Sequence, residues 1–293
     1  TFRYEHSSIG YPLTDSFMTF YEFATVLFVV KVFHLEGIGV DMNKVELHEM
    51  LVERYNSSKK FNGFSTESLH FFDDYPIDSN QSRNWWNNQK SNYEEFLKPE
   101  FVDLLEGLIS VVSHFDHGLD TDVSQCLGRT HDMSTRPIPY RWAALHSEGS
   151  DKRIDVQFFI NLTALGLRVG IFSGHHDTDS NAWNARQKRI FSNKIKIYDQ
   201  YQELHTLGFE MFHTTKTDHA SKSHGTRYTP ENPDELYNNV ATLRQISFIK
   251  TLDVKNMDSN EISLNLLKVF SDTRQVYQLL QSSKYDSYKR NLV

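Results

Sequence analysis

Two stretches near the middle of the chain constrain its fold most. Residues 153–163 nearly alternate apolar and polar side chains, with Ile154, Val156, Phe158 and Ile160 falling on one side. Residues 166–173 repeat the pattern with Leu167, Val169 and Ile171. A period of two sets one side of a strand against a core. Only the Ala164-Leu165-Gly166 joint separates the two stretches, which predicts an antiparallel hairpin.

Around this hairpin the spacing is helical. Thr14 or Asp15 can cap a helix over about 16–36, which stops at Glu36-Gly37-Ile38-Gly39. Asp41 can cap a second over 42–55, carrying Val45, Leu47, Met50 and Leu51. The polar run Asn56-Ser57-Ser58-Lys59-Lys60 marks the internal boundary. Ser65 or Thr66 begins a short helix, and 83–96 reads as another, with Trp86, Tyr93 and Phe96 at turn-like spacing. Pro99 suits the first position of a separate helix whose stripe is Phe101, Leu104, Leu105, Leu108, Ile109 and Val112. Past the hairpin come a helix over about 182–207, strands at 209–213 and 246–252, and a polar loop between them. Asp258 with Glu261 then opens a last helix to about 282 through a capping box. The expected architecture is α+β: a small helical unit over 1–58, then a mixed domain over 59–293 with an antiparallel sheet flanked by helices.

Composition narrows the function classes. The single Cys126 excludes a disulfide scaffold and a cysteine-cluster zinc site. No phosphate-binding loop and no G-x-S-x-G nucleophile elbow occurs, so no NTPase or such hydrolase chemistry is expected within the chain. The most apolar stretch, 17–35, is interrupted by Glu22, Lys31 and His34 and reads as a buried helix rather than a membrane span. A cytoplasmic protein without cofactor is expected. The chain starts at Thr1 rather than Met, as a trimmed product or a piece of a longer one does.

The segment from Phe61-Asn62-Gly63-Phe64 to Pro99 resembles a widespread bacterial domain family of unknown function. Its members open with F-x-G-F, continue through an N-N-x-x-W-F-like turn, then Y-E and a proline. Phe61, Gly63 and Phe64, then Asn80 to Trp86, then Tyr93-Glu94 and Pro99 occupy those places. The family's R-D-x-R-F-S-x-D-K-x-P-Y-K element corresponds to residues 129–141. There Arg129, Ser134, Pro139 and Tyr140 match, Arg141 replaces lysine, Thr130 and Arg136 replace aspartates, and Asp132 replaces arginine. Gly166-Leu167-Arg168-Val169-Gly170 and Leu207-Gly208-Phe209-Glu210 extend the resemblance to about 61–212. Similar domains stand at the front of McrB-like restriction GTPases, where the front domain reads DNA. The resemblance thus implies a recognition role in an antiphage restriction system, with a partner subunit or attached motor domain.

Three features could carry chemistry. Charge is segregated: residues 128–198 hold eleven Lys and Arg against six Asp and Glu, inside a chain of net charge −7. Phosphate contacts are expected from Arg186, Lys188, Arg189, Lys194 and Lys196, and contacts nearer a base from Arg136, Arg141 and Trp142. An ordinary solvated helix face is the competing account of the same charges. Histidine is also abundant, 14 in 293 residues. A metal-dependent phosphodiester hydrolase is therefore an alternative, with His175, His176, Asp177, His213 and His219 as ligands, although no known ligand spacing occurs. The Trp85-Trp86 pair reads as packing, one indole in the core and one at its edge. The expected role is non-catalytic DNA recognition, with a purely protein-binding subunit as the third possibility.

Overall fold

The computed structural model describes residues 43–76, 78, 80–114, 116, 118–128, 137–150, 155–173, 188–215, 226–240 and 243–281. The chain divides into two compact units, Thr1–Met42 with Val293, and Asn43–Leu292. All described residues belong to the second, and the helix expected over 16–36 lies outside them.

Helix α1, Lys44–Asn56, starts where the Asn43 side chain accepts from the Val45 and Glu46 amides, both at 3.0 Å. Asn43, not the expected Asp41, is the cap. The frame it sets buries Leu47, Leu51 and Tyr55 at four-residue spacing. This helix belongs to the same compact unit as the sheet. The four-residue α2, Thr66–Leu69, is capped by Ser65.

Two expected helices prove to be one rod. Ser82–Asn92 (α3) passes through a π-helical turn, Tyr93–Leu97, directly into Lys98–Val112 (α4). Proline inside an α-helix lacks a donor and clashes with the carbonyl four residues back. The wider turn just before Pro99, in which the Lys98 amide reaches the Tyr93 carbonyl, accommodates it without a break. Trp85 and Trp86, expected at core and edge, are both buried. Trp85 packs on Phe71, Phe72 and Tyr75, and Trp86 on Tyr93.

After the short α5, Val123–Cys126, comes a six-stranded antiparallel sheet of order β1-β2-β3-β6-β4-β5. Its strands are β1 Tyr140–Leu145, β2 Val156–Thr163, β3 Gly166–Ser173, β4 Glu210–Thr215, β5 Thr226–Arg227 and β6 Leu243–Leu252. The expected hairpin is β2–β3, with Thr163 opposite Gly166. Gly166 has φ +115°, and a Cβ there would stand 2.4 Å from the Leu252 carbonyl oxygen, so only glycine closes this turn. Strand β1 was not legible: Tyr-Arg-Trp-Ala-Ala-Leu has no clear alternation and is held by backbone pairing to β2.

Helices α6 (Lys194–Thr206), α7 (Pro233–Val240) and α8 (Ser259–Leu280) follow among the described residues. α8 covers one face of the sheet, where Phe270 meets Phe158 edge-to-face at 5.4 Å, and it also packs against α1 and α6. Its start is the predicted capping box, with both Asp258 and Glu261 side chains bonded to the opposite backbone amide. The fold is α+β. No helix among the described residues is long and apolar enough to cross a membrane.

Candidate functional site

The basic segment selected from the sequence lies on a helical stretch at 188–192 and on the start of α6. Lys188 and Lys196 are exposed and make no ion pair among the described residues. Arg189 is half-buried and donates to the Gln281 carbonyl, and Lys194 pairs with Asp234. Phe191 is 51% exposed, with the Lys194 ammonium 5.7 Å from its ring centroid. Ile195 beside it is also exposed. An aromatic face set among cations is therefore presented to solvent here. Arg136 and Arg186 lie outside the described residues.

Arg141 and Trp142 do not act together. Neighbours on a strand face opposite sides, so Arg141 turns toward the core and Trp142 away from it. Arg141 is only 4% exposed. Its Nη1 donates to the Gly128 carbonyl at 2.8 Å, and its guanidinium lies over the Tyr93 and Phe101 rings at 5.7 and 5.9 Å. Burial pushes its pKa down, opposed by Tyr93 and Glu94. The guanidinium from which a base contact was expected is thus held in the interior.

His175, His176, Asp177 and His219 lie outside the described residues, and His213 is placed only as a β4 backbone position opposite Ile246. Among the described residues no group of three or more His, Cys, Asp or Glu is arranged to hold a metal ion.

The sheet face turned away from α8 carries a set of residues of which the sequence had assigned only Trp142 a binding role. The registers align Trp142, Asn161, Arg168 and Thr251 in one row across β1, β2, β3 and β6. A second row holds Ala144, Phe159, Gly170, Ile249 and Glu210, and a third Gln157, Phe172, Ser247, Phe212 and Arg227. At the centre is Gly170, φ +145°, where a Cβ would stand 2.0 Å from the Phe248 carbonyl oxygen. A glycine inside a strand leaves room for a close approach. Gln157 and Asn161 are 4% and 2% exposed, and the amide oxygen of each has no hydrogen-bond partner among the described residues. Arg168 is part-exposed. Its guanidinium stacks 5.6 Å from the Phe212 centroid and makes no hydrogen bond among the described residues, because Glu210 pairs with Arg227 at 2.8 Å. Burial lowers the Arg168 pKa, against the pull of Glu210. Alternation assigns Gln157, Asn161 and Arg168 to a polar face, but burial on that face is a property of the assembled sheet and left no local signal.

A second polar group sits at one end of the sheet. Ser150 Oγ lies 2.9 Å from Asp155 Oδ2 and 2.7 Å from the Ser147 carbonyl, while Asp155 Oδ1 accepts from the Val156 amide at 2.8 Å. His146 Nδ1 lies 3.1 Å from the same Ser147 carbonyl. Burial, then the carboxylates of Asp116 and Asp155, push the Tyr277 phenol well above its ordinary range. His146, Asp155, Asp116 and Tyr277 are all buried, and the Ser147, Ser150 and Asp155 hydrogen bonds join the end of β1 to the start of β2.

None of the curated proteins compared with the chain matches it. Residues 67–279, well over half of its length, match the family described as conserved hypothetical protein (DUF2461). The match takes in the Trp85-Trp86 helix, the whole sheet and nearly all of α8. On that extent the chain belongs to the DUF2461 family of conserved hypothetical proteins.

Proposed function

We propose that the chain is a non-catalytic recognition domain for DNA, contacting it through residues 188–196. The observation that supports this is the exposed Phe191 ring flanked by Lys188, Lys194 and Lys196. Cations neutralise backbone phosphates, and an exposed aromatic ring offers a stacking surface to a base. Arg186 and Arg136 add charge in the same reading. A cytoplasmic setting within an McrB-like restriction or antiphage assembly, with a partner subunit or motor domain, belongs to the same proposal and rests on the resemblance alone.

The test is fluorescence anisotropy with labelled single- and double-stranded DNA, methylated and unmethylated, over a salt series, first with EDTA and then with manganese. The expected outcome is binding that weakens steeply with salt while the DNA stays uncut. Charge reversal at Lys188 and Lys196 together lowers the slope of log affinity against log salt by about 2, since each lysine neutralises one phosphate. No binding at low salt sinks the proposal in favour of a protein partner, and cutting only with manganese moves it to the histidine clusters.

A further inference from the structure

We propose that the sheet face opposite α8 is a binding site for a small planar anion, an aromatic or heteroaromatic ring carrying a carboxylate or phosphate. It would be held by Asn161, Gln157 and Arg168 among Phe159, Phe172 and Phe212. Two buried amide oxygens of this face, those of Gln157 and Asn161, have no hydrogen-bond partner among the described residues. A buried amide oxygen without a donor has lost its water and gained nothing in return, and this face buries two of them on one strand, at Gln157 and Asn161. Arg168 presents a planar fork of donors matched to carboxylate and phosphate. The carboxylate that acts on it electrostatically, Glu210, is paired with Arg227. The rest of the face is aromatic: Phe159 and Phe172 meet edge-to-face at 6.3 Å, and Phe212 lies under the guanidinium. Gly170 adds no side chain to the face; the place of a Cβ there is taken by the Phe248 carbonyl of β6. Apolar rings fix a planar ligand, the amides read its polar edge and the arginine takes its charge, the usual division of labour in a small-molecule site. Arg168, Phe172 and Phe212 are part-exposed, which gives access from the β3–β4 side, whereas Gln157 and Asn161 form the buried floor.

This site shares no residue with the 188–196 segment and stands whether or not DNA binds there. The experiment is calorimetric titration of the full chain with adenosine monophosphate, nicotinate, inorganic phosphate and adenosine. The expected result is saturable binding of adenosine monophosphate or nicotinate, about tenfold or more tighter than inorganic phosphate or adenosine, since ring and charge are both required. The two ring-bearing anions tell a phosphate ligand from a carboxylate one. Arg168→Gln should weaken that binding at least about tenfold with an unchanged melting temperature, and Arg168→Lys should weaken it less. Asn161→Leu, which keeps the branched shape and removes the amide, should also weaken it. Absence of saturable binding by both ring-bearing anions at millimolar concentration overturns the proposal, as does unaltered affinity in folded Arg168→Gln protein.

Discussion

Arg141 carries a full charge into an interior of rings, and its energetics differ from those of a surface arginine. Its Nε has no partner among the described residues, and among them the Gly128 carbonyl and two aromatic faces offset part of the lost hydration. A buried charge can be replaced by an apolar side chain of similar length at little cost, whereas truncation leaves a cavity. Arg141→Met should therefore stay within about 1 kcal/mol of wild type in urea unfolding, and Arg141→Ala should lose about 2–4 kcal/mol. If Arg141→Met abolished DNA binding while leaving stability intact, Arg141 would be a binding residue rather than a structural one. Asp103 is the opposite case, a paired carboxylate at the surface. Burial opposes its ionisation, but the Asn62 amide at 3.0 Å and the Lys59 ammonium at 2.9 Å outweigh it and hold its pKa below the ordinary value. A lowered folded-state pKa stabilises above the unfolded pKa, and that stability is lost as pH falls through the folded value. Asp103→Asn should cost about 1–2 kcal/mol at neutral pH, and the gap to wild type should narrow when the solution is taken from neutral pH to an acidic pH below the ordinary carboxylate range. Paired urea titrations at the two pH values measure this, and a gap independent of pH would mean that the carboxylate's charge contributes nothing.

At the scale of elements, local chemistry was readable wherever neighbours in the chain supply it. The β2–β3 hairpin followed from alternation and a short joint, and α8 followed from Asp258 and Glu261, both of whose reciprocal bonds form. Asp258→Ala should cost about 1 kcal/mol, because it removes the acceptor of the Glu261 amide at the head of a 22-residue helix. Thermal unfolding checks this, and an unchanged melting temperature would mean that packing alone holds that end. The joining of α3 to α4 was not readable. Pro99 is a helix-start signal in isolation, and only the burial of Tyr93 and Leu97 at the two ends of the π turn shows why the rod continues past it.

At the scale of the molecule, the two proposed sites use different parts of the fold. Charge reversal at Lys188 and Lys196 should leave adenosine monophosphate and nicotinate titrations unaltered, and Arg168→Gln should leave the salt slope of DNA binding unaltered. Loss of both activities in either variant would mean one shared surface instead of two. At a net charge of −7 the molecule as a whole repels DNA, so the proposed contact rests on the local basic run, while charges farther than about 8–10 Å away are screened at working salt. The amino-acid sequence by itself determined the α+β class, the hairpin, the cap of the last helix and the basic run at 186–196, because periodicity, turn geometry and charge are set by residues close along the chain. The tertiary structure alone decided that Arg141 is interior, that both Trp85 and Trp86 are buried, and that Gln157, Asn161 and Arg168 share one face with Gly170 at its centre. Burial and partnership depend on which distant strands and helices come together, and no window of sequence contains those neighbours.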